Sequence, residues 1–177
     1  MHIIITGGIQ SGKSTLTAAL ISFLKEEKTS LAGILAPGLW RDNQRHGFDL
    51  IDLRSCKKYP LARRRPELNE IDLTPFEFFQ EGLNAGSRAL ALENCRKASV
   101  IIIDEVGKLE LNNSGWANSL QPLLTLNTAL HIWVVREKLV DAVREKWQLD
   151  QVEIVDIKNE DSWARLKNLC LKFTNLN

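Results

Sequence analysis

The chain has 177 residues, close to one ordinary domain, and its 44% hydrophobic and 25% charged content is that of a globular protein, not a disordered one. Its 23 basic and 22 acidic side chains nearly cancel, leaving a net charge of +1 without the basic excess usual in a dedicated nucleic-acid binder. The early apolar run Ile3-Ile4-Ile5 is too short for a signal peptide or membrane span, and Cys56, Cys95 and Cys170 are odd in number with no Cys-x-x-Cys pair, which argues against a disulfide framework or zinc cluster. One cytoplasmic domain over residues 1–177 is expected, with no nucleic-acid or membrane partner.

Along the chain, strands alternate with helices. Ile3 to Thr6 reads as a buried parallel strand running into Gly7-Gly8. Leu16, Leu20, Phe23 and Leu24 recur at helical spacing and predict a helix from about Gly12 to Lys28. Leu31 to Leu35 is a second strand. Residues 37–73 hold Pro37-Gly38, Pro60, Pro66 and Arg63-Arg64-Arg65, with one strand candidate at Phe48 to Leu53, and read as an excursion made of a hairpin and a mobile loop. Thr74-Pro75-Phe76-Glu77 has the form of a helix-opening capping box, with Phe79, Leu83, Gly86 and Leu90 on one face of the helix that follows. Val100 to Ile103, His131 to Val135 and Val152 to Val155 are further strands. Helices carry Leu139 to Trp147 and Trp163 to Phe173. This order predicts an α/β fold whose mainly parallel sheet is covered by helices on both faces.

Gly7-Gly8-Ile9-Gln10-Ser11-Gly12-Lys13-Ser14 matches G-x-x-x-x-G-K-[ST] and lies between the first strand and first helix, where a phosphate-binding loop belongs. Its glycines let backbone N–H groups wrap a polyphosphate, and the helix N-terminus adds partial positive charge. Lys13 would reach the β- and γ-phosphates, Ser14 would ligate Mg²⁺, and Thr15 would hold the α-phosphate. Ile101-Ile102-Ile103-Asp104-Glu105 has the form of a Walker B strand. Asp104 would hold Mg²⁺ through a water, and Glu105 is free to orient or deprotonate an attacking water. A metal-bound Asp followed by Glu suits hydrolysis better than transfer to another hydroxyl.

Joined to that loop, Asp104-Glu105-Val106-Gly107-Lys108-Leu109-Glu110-Leu111 resembles the family of small stand-alone P-loop nucleoside-triphosphatases, which has human cancer-related and prokaryotic members and carries Asp-Glu-Ile-Gly-Lys-Met-Glu-Leu there. Gly47-Phe48 and Pro60-Leu61-Ala62-Arg63 resemble two further stretches of that family. The resemblance implies a three-layer RecA-like fold and Mg²⁺-dependent conversion of ATP, GTP and other nucleoside triphosphates to diphosphate and phosphate, with loose base selectivity. Where the family has a polar Thr-Glu-Glu-Val-Arg run, this chain has Ala36-Pro37-Gly38-Leu39-Trp40-Arg41, in which Arg41 could keep the arginine.

Other residues carry two readings each. Arg136 follows the strand His131 to Val135 and should emerge at the sheet edge of Asp104, either to stabilise the transferring phosphoryl group or as a surface arginine opening a helix. Lys108 is similar, near the γ-phosphate or solvated in a loop. Arg63-Arg64-Arg65 with Lys57-Lys58 is a phosphate-covering lid or a solvated run. Trp40 stacks on a base or on nothing, whereas Trp116, Trp133, Trp147 and Trp163 are expected in the core. The rival functions are a P-loop kinase, with residues 37–73 binding the acceptor, and a slow nucleotide-dependent switch or adapter. No Asn-Lys or Thr-Lys dipeptide supplies the usual guanine reader.

Overall fold

In the computed structural model, which describes residues 1–67 and 74–174, nine strands form a single sheet. In chain order the elements are β1 (His2–Gly7), α1 (Lys13–Glu26), β2 (Leu31–Leu35), β3 (Gly38–Arg41), β4 (Gln44–Asp52), β5 (Lys58–Arg64), β6 (Phe76–Phe78), α2 (Gln80–Ala89), α3 (Leu92–Cys95), β7 (Val100–Val106), α4 (Lys108–Leu111), α5 (Ala117–Leu123), β8 (Leu130–Arg136), α6 (Val140–Lys146), β9 (Val152–Asp156) and α7 (Ser162–Thr174). The strand order is β6-β5-β4-β2-β7-β8-β1-β9, with β3 paired to β4 off this path.

The half from β2 to β9 is wholly parallel, because each of its crossovers passes through helix. Its isoleucines split by alternation. Ile3, Ile5 and Ile102 face α1 and α7, where Leu20, Leu24, Leu166 and Cys170 complete one core layer. Ile4, Ile101 and Ile103 face the other side, packed with Ala85, Leu120 and Val143 from α2, α5 and α6. A strand buried on both faces has no polar positions until it ends, which is why these segments read as unbroken apolar runs. Trp116, Trp133 and Trp147 are buried in the second layer, and half-buried Trp163 packs edge-on to Phe23. Among the described residues no helix is long and apolar enough to cross a membrane.

The other half departs from expectation. Residues 38–64 form three antiparallel strands that extend the sheet from β2: the expected hairpin is present as β3–β4, but strand β5 stands where a mobile loop was expected; residues 68–73 of that segment lie outside the described residues. Pro60 is tolerated in β5 because it sits just past a register shift opposite Asp49, beyond the reach of β6. The basic run belongs to this strand. Lys58 and Arg63 both pair with the buried Asp49, at 2.8 and 3.3 Å, which accounts for two of the cations expected in a lid. The capping box at Thr74 is also corrected. Thr74 Oγ1 accepts the Phe76 N–H at 3.1 Å in a turn, Phe76 and Phe78 pair with Arg64 and Ala62, and α2 opens only at Gln80. Alternation of two phenylalanines over Phe48 and the sheet outweighed the local cap, the Phe48–Phe76 rings meeting edge-on at 4.8 Å. At the opposite rim β9 is an edge strand, where Arg165 of α7 donates to Ile154 O at 3.1 Å and to Glu153 at 2.8 Å.

His2 and His131 are register partners whose rings stack at 4.9 Å, and His131 Nε2 donates to Leu126 O. Burial, then the neighbouring His131 and N-terminal charges, push His2 from 6.5 down to about 4, and burial also lowers His131. The unfolded chain therefore takes up protons below about pH 6.5 that the fold refuses until about 4, so stability falls as pH drops through that window. Thermal melts at steps from pH 7 to pH 4.5 should show a shallower acid loss in His2→Gln than in the parent; equal slopes would contradict this.

Candidate active site

The parallel strands end at one edge, and the charged side chains of the phosphate loop and the acidic strand gather there. Gly12 caps α1 with φ +94°, in the left-handed region that a side chain would oppose, and turns the loop into the helix. Lys13, the first helical residue, is only 8% exposed; its Nζ donates to Gly7 O at 3.0 Å and Gly8 O at 2.5 Å, so the loop's own carbonyls centre the ammonium. Ser11 Oγ closes the turn onto Gly8 O at 2.7 Å. Ile9, Gln10, Ser11, Gly12, Lys13, Ser14 and Thr15 all line a cavity of about 390 Å³, whose other walls come from β2, β3, β4, β7 and β8.

The two acidic neighbours on β7 are held in opposite directions. Asp104, 2% exposed, accepts the Ala36 N–H at 3.3 Å just beyond β2 and a hydrogen bond from the Ser14 hydroxyl. Glu105 is the extra residue at a register shift against β8, and its Oε1 accepts Arg136 Nε at 2.6 Å. Arg136 is the register partner of Gly7, so β8 delivers the guanidinium beside the phosphate loop. Burial foremost, then the adjacent Glu105 charge, pushes Asp104 from 3.8 up to about 7, against the opposing pull of Ala36, Ser14 and Lys13. Burial also lowers the Lys13 ammonium, opposed by Glu105 and Asp104. Asp104 is a buried carboxylate short of positive charge, and with the Ser14 hydroxyl it offers the hard oxygen donors a small divalent cation takes; its remaining ligands would come from phosphate and water. Among the described residues no group of three or more His, Cys, Asp or Glu side chains forms a protein-only metal site.

Lys108 begins α4, exposed and away from the cavity, and Arg41 sits exposed at the β3–β4 turn, 3.8 Å from Asp42. Trp40, half exposed, does line the cavity. The cavity-lining residue that sequence reasoning missed is Arg45 of β4, placed opposite Trp40 by the hairpin register. The bulged register of the β3–β4 hairpin decides which way that arginine faces, and the residue pattern does not reveal that bulge.

Glu110 shapes the turn after the acidic strand. Buried at 3% exposure, it accepts the N–H groups of Gly107 at 2.8 Å and Trp116 at 3.1 Å. Glu110→Gln would set an amide donor against those donors and should lower unfolding stability by about 2–3 kcal/mol. Urea denaturation checks this, and a change below about 0.5 kcal/mol would contradict it.

A phosphate loop between the first parallel strand and its helix, facing a buried strand-end aspartate, defines a P-loop nucleotide-binding protein. The sequence model of the NTPase family matches residues 2–168, and the chain belongs to that family of nucleoside-triphosphatase enzymes. It is 30% identical to nucleoside-triphosphatase THEP1 of Methanothermobacter thermautotrophicus over 91% of this chain and 90% of the relative. With the THEP1 of Archaeoglobus fulgidus the identity is 28%, over 93% and 94%. Its fold is similar to the solution structure of a human cancer-related nucleoside triphosphatase, at a TM-score of 0.73 and 20% identity, covering 99% of this chain and 98% of that one. The crystal structure of THEP1 from the hyperthermophile Aquifex aeolicus matches at 0.70 and 21%, covering 96% of each.

Proposed function

We propose that the chain hydrolyses nucleoside triphosphates to nucleoside diphosphate and phosphate, with Mg²⁺ as cofactor and loose selectivity among bases. The observation that carries this reading is the split of the adjacent carboxylates: Asp104 is turned to Ser14 and Ala36, and Glu105 to Arg136 beside the phosphate loop. In this reading Gly7 to Thr15 bind the phosphates, their backbone N–H groups and the start of α1 favouring the anion. Lys13, already donating to two loop carbonyls, keeps a third N–H for the β- and γ-phosphate oxygens. Ser14 and Asp104 would hold Mg²⁺, which would offset phosphate charge.

Water attacks the γ-phosphorus. The new phosphorus–oxygen bond forms as the bond to the β–γ bridging oxygen breaks, and nucleoside diphosphate leaves. Glu105 takes the water's proton. Arg136 occupies Oε1 and so fixes the carboxylate with Oε2 left to act as base. Two stacking surfaces at the cavity, Trp40 and the exposed Ile9, contact a base without reading its hydrogen-bonding edge. Specificity constants for ATP, GTP, CTP and UTP should then fall within about two orders of magnitude, and a thousandfold preference would reveal a dedicated base reader.

Phosphate release without an added acceptor, with and without Mg²⁺, separates hydrolysis from phosphoryl transfer to a second substrate. Glu105→Gln should lower kcat by about 10²–10⁴-fold with little change in Mg²⁺–ATP affinity. Asp104→Asn should weaken Mg²⁺–ATP binding as well as turnover, and Lys13→Ala should weaken nucleotide binding in a folded protein. Turnover within threefold of the parent in Glu105→Gln would overturn the assignment of the base.

A further inference from the structure

Arg45 meets two aromatic rings but no hydrogen-bond acceptor for its Nε among the described residues. Its guanidinium stands over two rings, 4.9 Å from the Trp40 centroid and 5.0 Å from that of Phe48. These contacts restrain the group, yet Nε is buried without a hydrogen-bond partner, and no carboxylate of the described residues lies within ion-pair distance. Gly38 makes the room, since a Cβ there would stand 3.0 Å from Nε. The group lines the phosphate cavity, where its charge acts on Lys13 and is itself acted on by Glu105, Arg136 and Asp104. Arg45 is half-buried, and leaving its buried Nε without a hydrogen bond is unfavourable unless an anion completes the site.

The two cavity arginines differ in this respect. Arg136 already spends its Nε on Glu105 at 2.6 Å. Arg45 is uncommitted, and it comes from the hairpin beyond β2, across β7 from Arg136. The site thus presents Lys13, Arg45 and Arg136 against Asp104 and Glu105, a surplus of one cation facing a polyanionic substrate.

We propose that Arg45 is a catalytic arginine supplied in cis by the β3–β4 hairpin, donating to the γ-phosphoryl oxygens as charge spreads over them, while Arg136 is a positioning residue for Glu105. The proposal rests on the hydrolase reading and assigns the cation within it. The two ring contacts restrain the guanidinium before the nucleotide arrives, so less reorganisation accompanies the reaction. Arginine suits the task better than lysine because a planar group can both lie over rings and present several N–H donors along one edge.

The test compares Mg²⁺–ADP with Mg²⁺–ADP–aluminium fluoride, a mimic of the transferring phosphoryl group, by calorimetry on the parent, Arg45→Ala, Arg45→Lys and Arg136→Ala. Arg45→Ala should lose tenfold or more in affinity for the aluminium fluoride complex while ADP affinity stays within about threefold, because only the mimic carries the planar phosphoryl charge. Arg45→Lys should recover less than half of that loss on a logarithmic scale. Added guanidinium ion should raise turnover of Arg45→Ala and leave Arg136→Ala unchanged. Equal losses for both ligands, or none, would overturn the proposal and leave Arg45 as a packing residue of the hairpin. The affinity comparison does not need turnover, so a parent that releases no phosphate would count against hydrolysis while the Arg45 contact was still decided.

Discussion

Four parallel strands buried on both faces impose one constraint on everything else: charged chemistry can be placed only where those strands stop. Val100 to Ile103 are fully buried, and the first polar side chain after them is Asp104. The same holds for β1, whose apolar run gives way to Thr6 and the loop glycines, and for β8, which ends at Arg136. Because parallel strands all finish at the same edge, three separate segments deliver their first charges to one place. Low exposure there then raises the stakes of each charge, which is why Lys13 leans on loop carbonyls and Asp104 on Ser14 and the Ala36 N–H.

The phosphate loop and the acidic strand were legible in sequence because their chemistry is local. A glycine able to turn, a lysine and a hydroxyl at fixed offsets work in almost any context that puts them between strand and helix. The buried strands were legible because unbroken β-branched runs leave few other options. The antiparallel half was legible only in its hairpin and in part of β4. Pro60, three consecutive arginines and a Thr-Pro start are all signs of loop or helix origin, and each was overridden by pairing with residues distant in sequence. Phe76 reads as a helical position until Phe48 is known to lie beneath it. Asp49 likewise gives no local hint that Lys58 and Arg63 will converge on it. Arg45 fell through the same gap, since its role depends on the register shift that sets it across from Trp40.

The β3–β4 hairpin is also where the chain leaves the pattern of the family it resembles, with Ala36-Pro37-Gly38-Leu39-Trp40 in place of a polar run. Structure gives that replacement a use. Ala36 supplies an N–H to Asp104, Pro37 and Gly38 line the cavity, and Trp40 covers one face of Arg45. This segment gives the cavity an apolar wall, with Arg45 beside it over the Trp40 and Phe48 rings.

At the far rim of the sheet, β9 has a neighbour on one side only among the described residues. An edge strand of Val152, Ile154 and Val155 would be a template on which a second molecule could pair its own backbone. Arg165 occupies the Ile154 carbonyl and stands next to Glu153 as a charged pair along that margin. A strand arriving from another copy would have to displace a guanidinium and bury a carboxylate before gaining its first ladder hydrogen bond. The contact that fastens α7 to the sheet therefore also keeps copies of the chain from polymerising edge to edge when they are crowded together.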